Sequence, residues 1–244
     1  MTHASYGKLS ALYYDVTQHY ASEQEVDFYA DFLDGHPGRV LEAMSGSGRL
    51  QLPLMQRGYV VDGVDASEHM LGRCRQRAVV LGLQPELHSQ LLQDLSLTHR
   101  YAVAIIAFGS LQLIADRAVI LQALKKIHAH MEPFGDVLID CFIPDRASVV
   151  PRKRSIRLDD HTIISLITRS VFDDQNQSVD SFRVYELTVD GVVQEREDEL
   201  IQLVWYNDEQ WRGLLRHAGF EIVNIHETPF YAAGPSQVIH AKAV

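Results

Sequence analysis

The sequence predicts an α/β protein, built on a doubly wound, mostly parallel sheet and carrying an antiparallel β insertion. Three observations predict it. Residues 39–144 alternate short apolar runs with amphipathic stretches of helical period. Residues 151–204 switch to β-branched text that alternates with period two. Residues 205–244 return to helix–strand order.

Taken in order, "SEQEVDFYADFLD" (22–34) opens with a serine cap and acids and places Val26, Tyr29, Phe32 and Leu33 at helical spacing, ending at "GHPG". "RVLEA" reads as a strand, "GRLQLPLMQRG" as a helix closed by Gly58, and "YVVDGVDAS" as a second strand followed by a serine cap. "EHMLGRCRQRAVVLG" is a long helix and "LQPELHSQ" a weak strand. "YAVAIIAFGS" has the Ala, Val and Ile run of a strand covered on both faces. "DRAVILQALKKIHAHM" is a helix, "EPFG" a turn and "DVLIDCFIP" a strand. In the insertion, "DDQNQ" and "DG" separate runs such as "HTIISLITRSVF" and "SVDSFRVYELTVDG", which predicts three or four antiparallel strands joined by hairpins. "NDEQWRGLLRHAG" is an N-capped helix ending at Gly219, and "FEIVNIHE" and "SQVIHAKA" are strands. The expected organisation is an amino-terminal helical lid (1–36), an α/β domain (37–150 and 205–244), and a β insertion or lid (151–204).

A chain of 244 residues, 46% hydrophobic, can bury one substantial core. Its 32 acidic against 22 basic side chains leave a formal charge of −10, which disfavours nucleic acid and anionic lipid as partners. No stretch reaches the roughly 18 apolar residues that span a bilayer. The opening "MTHASYGKLS" lacks the features of a signal peptide, so a cytoplasmic location is expected. Cys74 and Cys141 read as plain buried thiols of a reducing compartment. Twelve histidines do not compose a metal site: "HAH" at 128–130 puts its side chains on diverging sides of a helix, and no metal is expected.

The stretch "EAMSGSG" carries the functional signal. A strand ends at Glu42, and Gly46 and Gly48 remove the Cβ atoms that would keep a ligand from the backbone. The N–H groups at the start of the following helix are expected to face that ligand. A dinucleotide fold would want G-x-G-x-x-G, but Gln51 stands at the third glycine, which counts against NAD. Asp65 lies at the tip of the second strand, 17 residues after Gly48, where a carboxylate can accept both hydroxyls of a ribose. Glu42 can answer a positively charged ligand group.

"VLEAMSGSGRL" resembles the first motif of class I S-adenosylmethionine-dependent methyltransferases, E/D-x-G-x-G-x-G, in an E-x-M-x-G-S-G-R form with Met44 at the first glycine. "VVDGVDASEHML" resembles the second motif, "LLQDLSL" the adenine-binding segment, and "YAVAIIAFGSLQLI", "LKKIHAHMEPFGDVLID" and "LLRHAGFEIVNIH" the later elements; the likeness covers about residues 20–143 and 205–244. The resemblance implies a Rossmann-like, seven-stranded sheet with S-adenosylmethionine as cofactor and S-adenosylhomocysteine as product. It implies cofactor contacts from Tyr20, Glu42, Ala43, Met44, Ser45, Gly46, Gly48, Arg49, Asp65, Ala66, Met70, Asp94, Leu95 and Phe108, with Gln93 beside Asp94 near the adenine.

Such an enzyme aligns an acceptor lone pair behind the methyl group for in-line displacement and excludes water. Where the acceptor loses a proton, a base or solvent path removes it. Candidates close to the fourth strand or in covering segments are Tyr13, His19, Ser110 and Gln112 for catalysis, and Tyr14, Arg183, Tyr185, Trp205 and Tyr231 for the substrate. The leading expectation is N- or O-methylation of a small-molecule acceptor, with a homodimer through the β insertion. The alternatives are a methyltransferase acting on a peptide or protein carboxylate or an RNA base, and a non-catalytic nucleotide-binding module.

Overall fold

The computed structural model describes residues 6–146, 150–230 and 236–244. The apolar runs form the strands β1 (Val40–Ala43), β2 (Val61–Asp65), β3 (Leu87–Ser89), β4 (Tyr101–Ile106) and β5 (Met131–Phe142). The amphipathic stretches form α1 (Lys8–Thr17), α2 (Glu23–Asp34), α3 (Gln51–Gln56), α4 (Glu68–Leu81) and α5 (Arg117–Ala129). The insertion supplies β6 (Arg152–Arg157), β7 (Thr162–Asp173), β8 (Ser178–Val189) and β9 (Val192–Val204); α6 (Asp208–Ala218), β10 (Phe220–Thr228) and β11 (Ser236–Ala243) follow.

The main sheet has seven strands in the order β10-β11-β5-β4-β1-β2-β3. β1 pairs in parallel with β2 on one side and β4 on the other, with Val40 opposite both Val61 and Val103. β11 runs antiparallel to β5 and β10. This is a Rossmann-like α/β sheet whose strand order reverses between β1 and β4, the place where such sheets take their ligands. Burial on both faces explains the near-continuous apolar text: Leu41, Val103, Ile105 and Ile106 are fully buried. Helices cover one face through Ile120, Leu124, Leu214 and Trp211, and the other through Val26, Tyr29, Leu33 and Leu54.

The caps read from the sequence are present. Ser22 accepts from the Glu25 N–H, Ser67 from Met70, and Asn207 and Gln210 form a reciprocal capping box on α6. Two local expectations are corrected. The helix expected over residues 48–58 forms only from Gln51, because the turn after β1 continues through Leu50. "EPFG" does not separate α5 from β5: it is a bulge within the strand, where the pairing steps from Tyr101↔Met131 to Val103↔Asp136 and Phe134 takes a φ of 62°.

The insertion is a four-stranded antiparallel meander in the order β6-β7-β8-β9. The Asp173 carboxylate accepts from the N–H groups of Gln175 and Asn176, and Asp190-Gly191 supplies two successive left-handed residues (φ 47° and 79°), as a tight hairpin demands. α1 lies between this sheet and α4. Leu9 and Tyr13 pack with Ile164 and Tyr185, and the Glu197 carboxylate receives the Leu9 and Ser10 N–H groups at 2.8 and 2.9 Å. Among the described residues, no helix is long and apolar enough to cross a membrane.

Candidate functional site

At the carboxyl ends of β1, β2 and β4 the structure holds a cavity of about 400 Å³. Glu42, Met44, Ser45, Gly46 and Arg49 line it from the β1 turn. Asp65, Ala66 and Met70 line it from the β2 side, Leu91, Leu92 and Gln93 from beyond β3, and Phe108 and Ser110 from the end of β4. Tyr6, Tyr14, Arg183, Leu200 and Gln202 close it from above.

Left-handed backbone shapes the β1 turn, with φ of 61° at Met44, 56° at Gly46 and 77° at Gly48. At Met44 this conformation costs about 1 kcal/mol relative to glycine. Its side chain offsets that by packing on the core beneath the sheet while lining the cavity. A Cβ at Gly46 would lie 2.9 Å from the Met70 Cε, so a side chain there displaces a residue of the cavity wall. Gly48 has a different task. Its Cβ would meet the Cys74 Sγ at 2.6 Å and the Leu52 Cγ at 2.9 Å, so it permits α4 to pack on the turn and does not line the cavity.

The cradle is therefore the turn itself, not the start of α3: Gln51 is fully buried and its Nε2 donates to the Val61 carbonyl at 3.0 Å. The close approach that a third glycine would allow comes instead from β2. A Cβ on Gly63 would sit 2.6 Å from the Gln51 Oε1 and the Ser45 Oγ.

Two carboxylates face this cradle. Asp65 accepts from the Gly46 N–H through Oδ2 at 2.9 Å and from the Ser67 N–H through Oδ1 at 2.8 Å. Burial pushes it up to about 6, against the pull of those two bonds. Each oxygen keeps a lone pair for a ligand hydroxyl. Glu42 is only 4% exposed, and its Oε2 has no hydrogen-bond partner. Burial, with Glu25 and Asp65 adding to it, pushes Glu42 up to about 8, while Arg49 opposes the shift. Arg49 makes a bidentate pair with Glu25 at 2.6 and 2.7 Å and lies 4.4 Å from the Phe108 ring centroid.

Above the cradle, the Tyr14 ring stands edge-on to Phe108 and to Tyr6, with centroids 6.3 and 5.5 Å apart. Arg77 ties this cover down. From α4 it pairs with Asp15 at 3.2 Å, donates to the Ser47 carbonyl at 3.0 Å and to the His19 carbonyl, and covers the Tyr20 ring at 4.1 Å.

Several expected residues stand elsewhere. Tyr13 packs on Tyr185 with centroids 5.7 Å apart, away from the cavity. His19 and Tyr20 are exposed at the far end of α1, ring against ring. Ala43 and Leu95 are core residues, and Asp94 is exposed while its neighbour Gln93 lines the cavity. The Ser110 hydroxyl lines the cavity but donates to the Ala107 carbonyl. Gln112 is not available as a catalytic group. Its Nε2 donates to the carbonyls of Phe142 (2.9 Å) and Val204 (2.8 Å), and its Oε1 accepts from the Phe142 N–H (2.9 Å). Trp205 packs on Phe172 away from the cavity, Tyr185 donates to Glu199 at 3.2 Å, and Tyr231 lies outside the described residues.

Sequence reasoning missed Tyr6, Leu200 and Gln202. Tyr6 could have been grouped with the aromatic residues that follow it. Leu200 and Gln202 share a face of β9, which period two reveals only once the register is known. Asp62, Glu86 and His88 bring ligand atoms within 4.8 Å of one another. The Arg39 guanidinium already answers the two acids, at 3.4 Å from Asp62 and 3.3 Å from Glu86.

A doubly wound sheet with a glycine turn after its first strand and an acid at the tip of its second defines a nucleoside-cofactor-binding protein. Residues 40–135 match the family model described as a methyltransferase domain. YqeM of Bacillus subtilis (strain 168), named as a methyltransferase, is 27% identical over 193 residues, covering 76% of this chain and 74% of the relative. Among solved structures, the CcbJ methyltransferase from Streptomyces caelestis aligns with a TM-score of 0.73, 21% identity and full coverage of both chains. CalS10, an amino pentose methyltransferase from Micromonospora echinaspora solved with S-adenosylmethionine bound, aligns with a TM-score of 0.70 at 16% identity over 94% of each chain. The family match over residues 40–135 and the shared fold support a class I S-adenosylmethionine-dependent methyltransferase.

Proposed function

We propose that this methyltransferase moves a methyl group to a nitrogen or oxygen atom of a small molecule bound in the cavity above the β1 turn. The observation that carries the reading is the cover: α1 and the insertion sheet close a cavity of about 400 Å³. That volume, at the low end of about 300–1,000 Å³ for ligand sites, must take the cofactor as well, which leaves room under the cover for a small acceptor. The formal charge of −10 adds to the case against an RNA acceptor. The structural likeness to an amino pentose methyltransferase is consistent with it.

The residues present fit the cofactor. Glu42 Oε2 and Ser45 Oγ are buried polar atoms without partners beside a turn that Gly46 keeps open, which suits an amino-acid end carrying an ammonium group. Asp65 suits the ribose hydroxyls, and Ala66, Met70 and the segment 91–93 suit the adenosine. Bound S-adenosylmethionine supplies a methyl group on its own leaving group, so the protein's part is to hold, orient and exclude water. Phe108, Tyr14 and Tyr6 supply apolar ring faces for that purpose. Among the described residues, no side chain lining the β4 end is a free strong base.

The insertion leaves Val171 and Phe182 48 and 49% exposed, which suits pairing with a second copy, and sedimentation velocity tests that. The function itself is tested by thermal unfolding with S-adenosylhomocysteine against NADH, then by tritiated methyl transfer to a panel of small amines, hydroxyl compounds and acids. At about 100 times its dissociation constant a ligand adds about 2.7 kcal/mol. A shift with NADH and none with S-adenosylhomocysteine refutes the reading.

A further inference from the structure

The arginines tied into this structure show a rule and an exception. Arg49 is bidentate on Glu25, Arg77 pairs with Asp15, and Arg39 with Asp62 and Glu86. Arg183, half-buried on β8 and lining the cavity, has no carboxylate within ion-pair distance among the described residues. Its contacts are neutral hydroxyls: Tyr6, Tyr185, and Ser181 at a long 3.4 Å. Glu199 stands opposite it in the β8–β9 register, but the carboxylate accepts from the Tyr185 hydroxyl at 3.2 Å, so it reaches the cation through a phenol.

A cation withdrawn from water needs a counter-charge. Here the open side of the guanidinium is the cavity, which the acids Glu42, Asp65 and Asp116 also line and whose other cation, Arg49, is already paired with Glu25. We propose that Arg183 is the anchor for an anionic group of the methyl acceptor, a carboxylate or a phosphate, so that the substrate is a small acid bearing its nucleophilic nitrogen or oxygen on the end turned toward the β1 cradle. The planar fork of an arginine suits two-point recognition of either anion and fixes the acceptor's direction as well as its affinity. Tyr6 connects this anchor to the cofactor side. Its carbonyl accepts from the Ser67 hydroxyl at 2.5 Å, next to Asp65, while its phenol meets Arg183. The inference rests on the proposed small-molecule function and extends it to a substrate class.

The test uses the full chain saturated with S-adenosylhomocysteine, unfolded thermally at constant ionic strength in about 20 mM acetate, inorganic phosphate or chloride. Acetate or phosphate is expected to raise the midpoint by about 2 °C over chloride. A rise with acetate identifies a carboxylate acceptor, and one with phosphate a phosphorylated acceptor. Arg183→Gln should abolish the rise while keeping the S-adenosylhomocysteine shift. Glu199→Gln, which retains the cation and removes the nearest opposing charge, should tighten the same anion about threefold. No rise with either anion, or the same rise in Arg183→Gln, overturns the proposal; so does an unchanged anion affinity in Glu199→Gln. Absence of any S-adenosylhomocysteine shift in the starting protein would instead count against the proposed function.

Discussion

The proposed contact between Glu42 and the ligand's ammonium group predicts proton-coupled cofactor binding, with a size set by the surroundings of the carboxyl. Burial pushes the carboxyl up to about 8, so in the ligand-free protein at pH 7 only about one-tenth of it is ionised. An ammonium group docked against the unpartnered Oε2 requires the ionised form. The apparent dissociation constant is then raised by a factor of one plus the ratio of acid to base, about 11 at pH 7 and about 2 at pH 8. Asp65, pushed up only to about 6, is largely ionised across that interval and changes the ratio little. S-adenosylhomocysteine should therefore bind about fivefold more tightly at pH 8 than at pH 7. Calorimetry in buffers of different ionisation enthalpy should show close to one proton released per ligand at pH 7. Glu42→Gln should flatten the profile. A wild-type affinity that is flat with pH, with no proton release, refutes the assignment. The same shift governs stability with a definite sign. The folded carboxyl holds its proton between its ordinary 4.5 and about 8 while the unfolded one does not, so ligand-free stability falls as pH rises through that window. The ceiling is about 1.4 kcal/mol per pH unit, and Glu42→Gln should reduce that decline in a series of thermal melts.

Asp65→Ala removes the expected ribose acceptor and leaves the Gly46 and Ser67 N–H groups without theirs. Cofactor affinity should drop at least tenfold, since hydrogen bonds to a charged group contribute about 1.5–3 kcal/mol, and unchanged affinity by calorimetry would remove the ribose role. Gln112→Ala leaves the Phe142 N–H and the Phe142 and Val204 carbonyls unpaired. Urea denaturation should register a loss of about 2–4 kcal/mol, with S-adenosylhomocysteine affinity at pH 8 held within about twofold; a large catalytic defect in a fully stable variant would restore it as a reacting group. Arg77→Ala strands Asp15 and releases the Ser47 carbonyl. It should cost about 3 kcal/mol of stability and weaken cofactor binding in the same preparation, whereas lost stability with unaltered binding would separate the cover from the cradle.

The α/β order was legible because the burial of parallel strands on both faces and the helical period are written locally, as in "YAVAIIAFGS" and "DRAVILQALKKIHAHM". The cradle was half legible. Gly46 and Gly48 look alike in the text, yet one borders the cavity and the other the Cys74 sulfur, a distinction set by how α4 packs. Met44 read as a departure from a glycine position, and the structure gives it the left-handed backbone of that glycine and a place on the core for its side chain. Gln112 read as a polar group beside a strand end. That its three hydrogen bonds run to segments 30 and 92 residues away is a long-range fact no local pattern carries. Arg183 was singled out as a residue type, but its lack of a carboxylate partner among the described residues depends on the β8–β9 register.

The Gln112 contacts also bear on how such a protein can change over evolutionary time. One carboxamide fastens the strand that leads into the insertion, at Phe142, and the strand that leads out of it, at Val204. The two ends of a long excursion are thereby fixed to one point of the main sheet, whatever the segment between them does. A different meander could be spliced between those two anchor points without disturbing the main sheet, so the cover of the cavity can be exchanged as a cassette while the β1 turn beneath it is inherited intact.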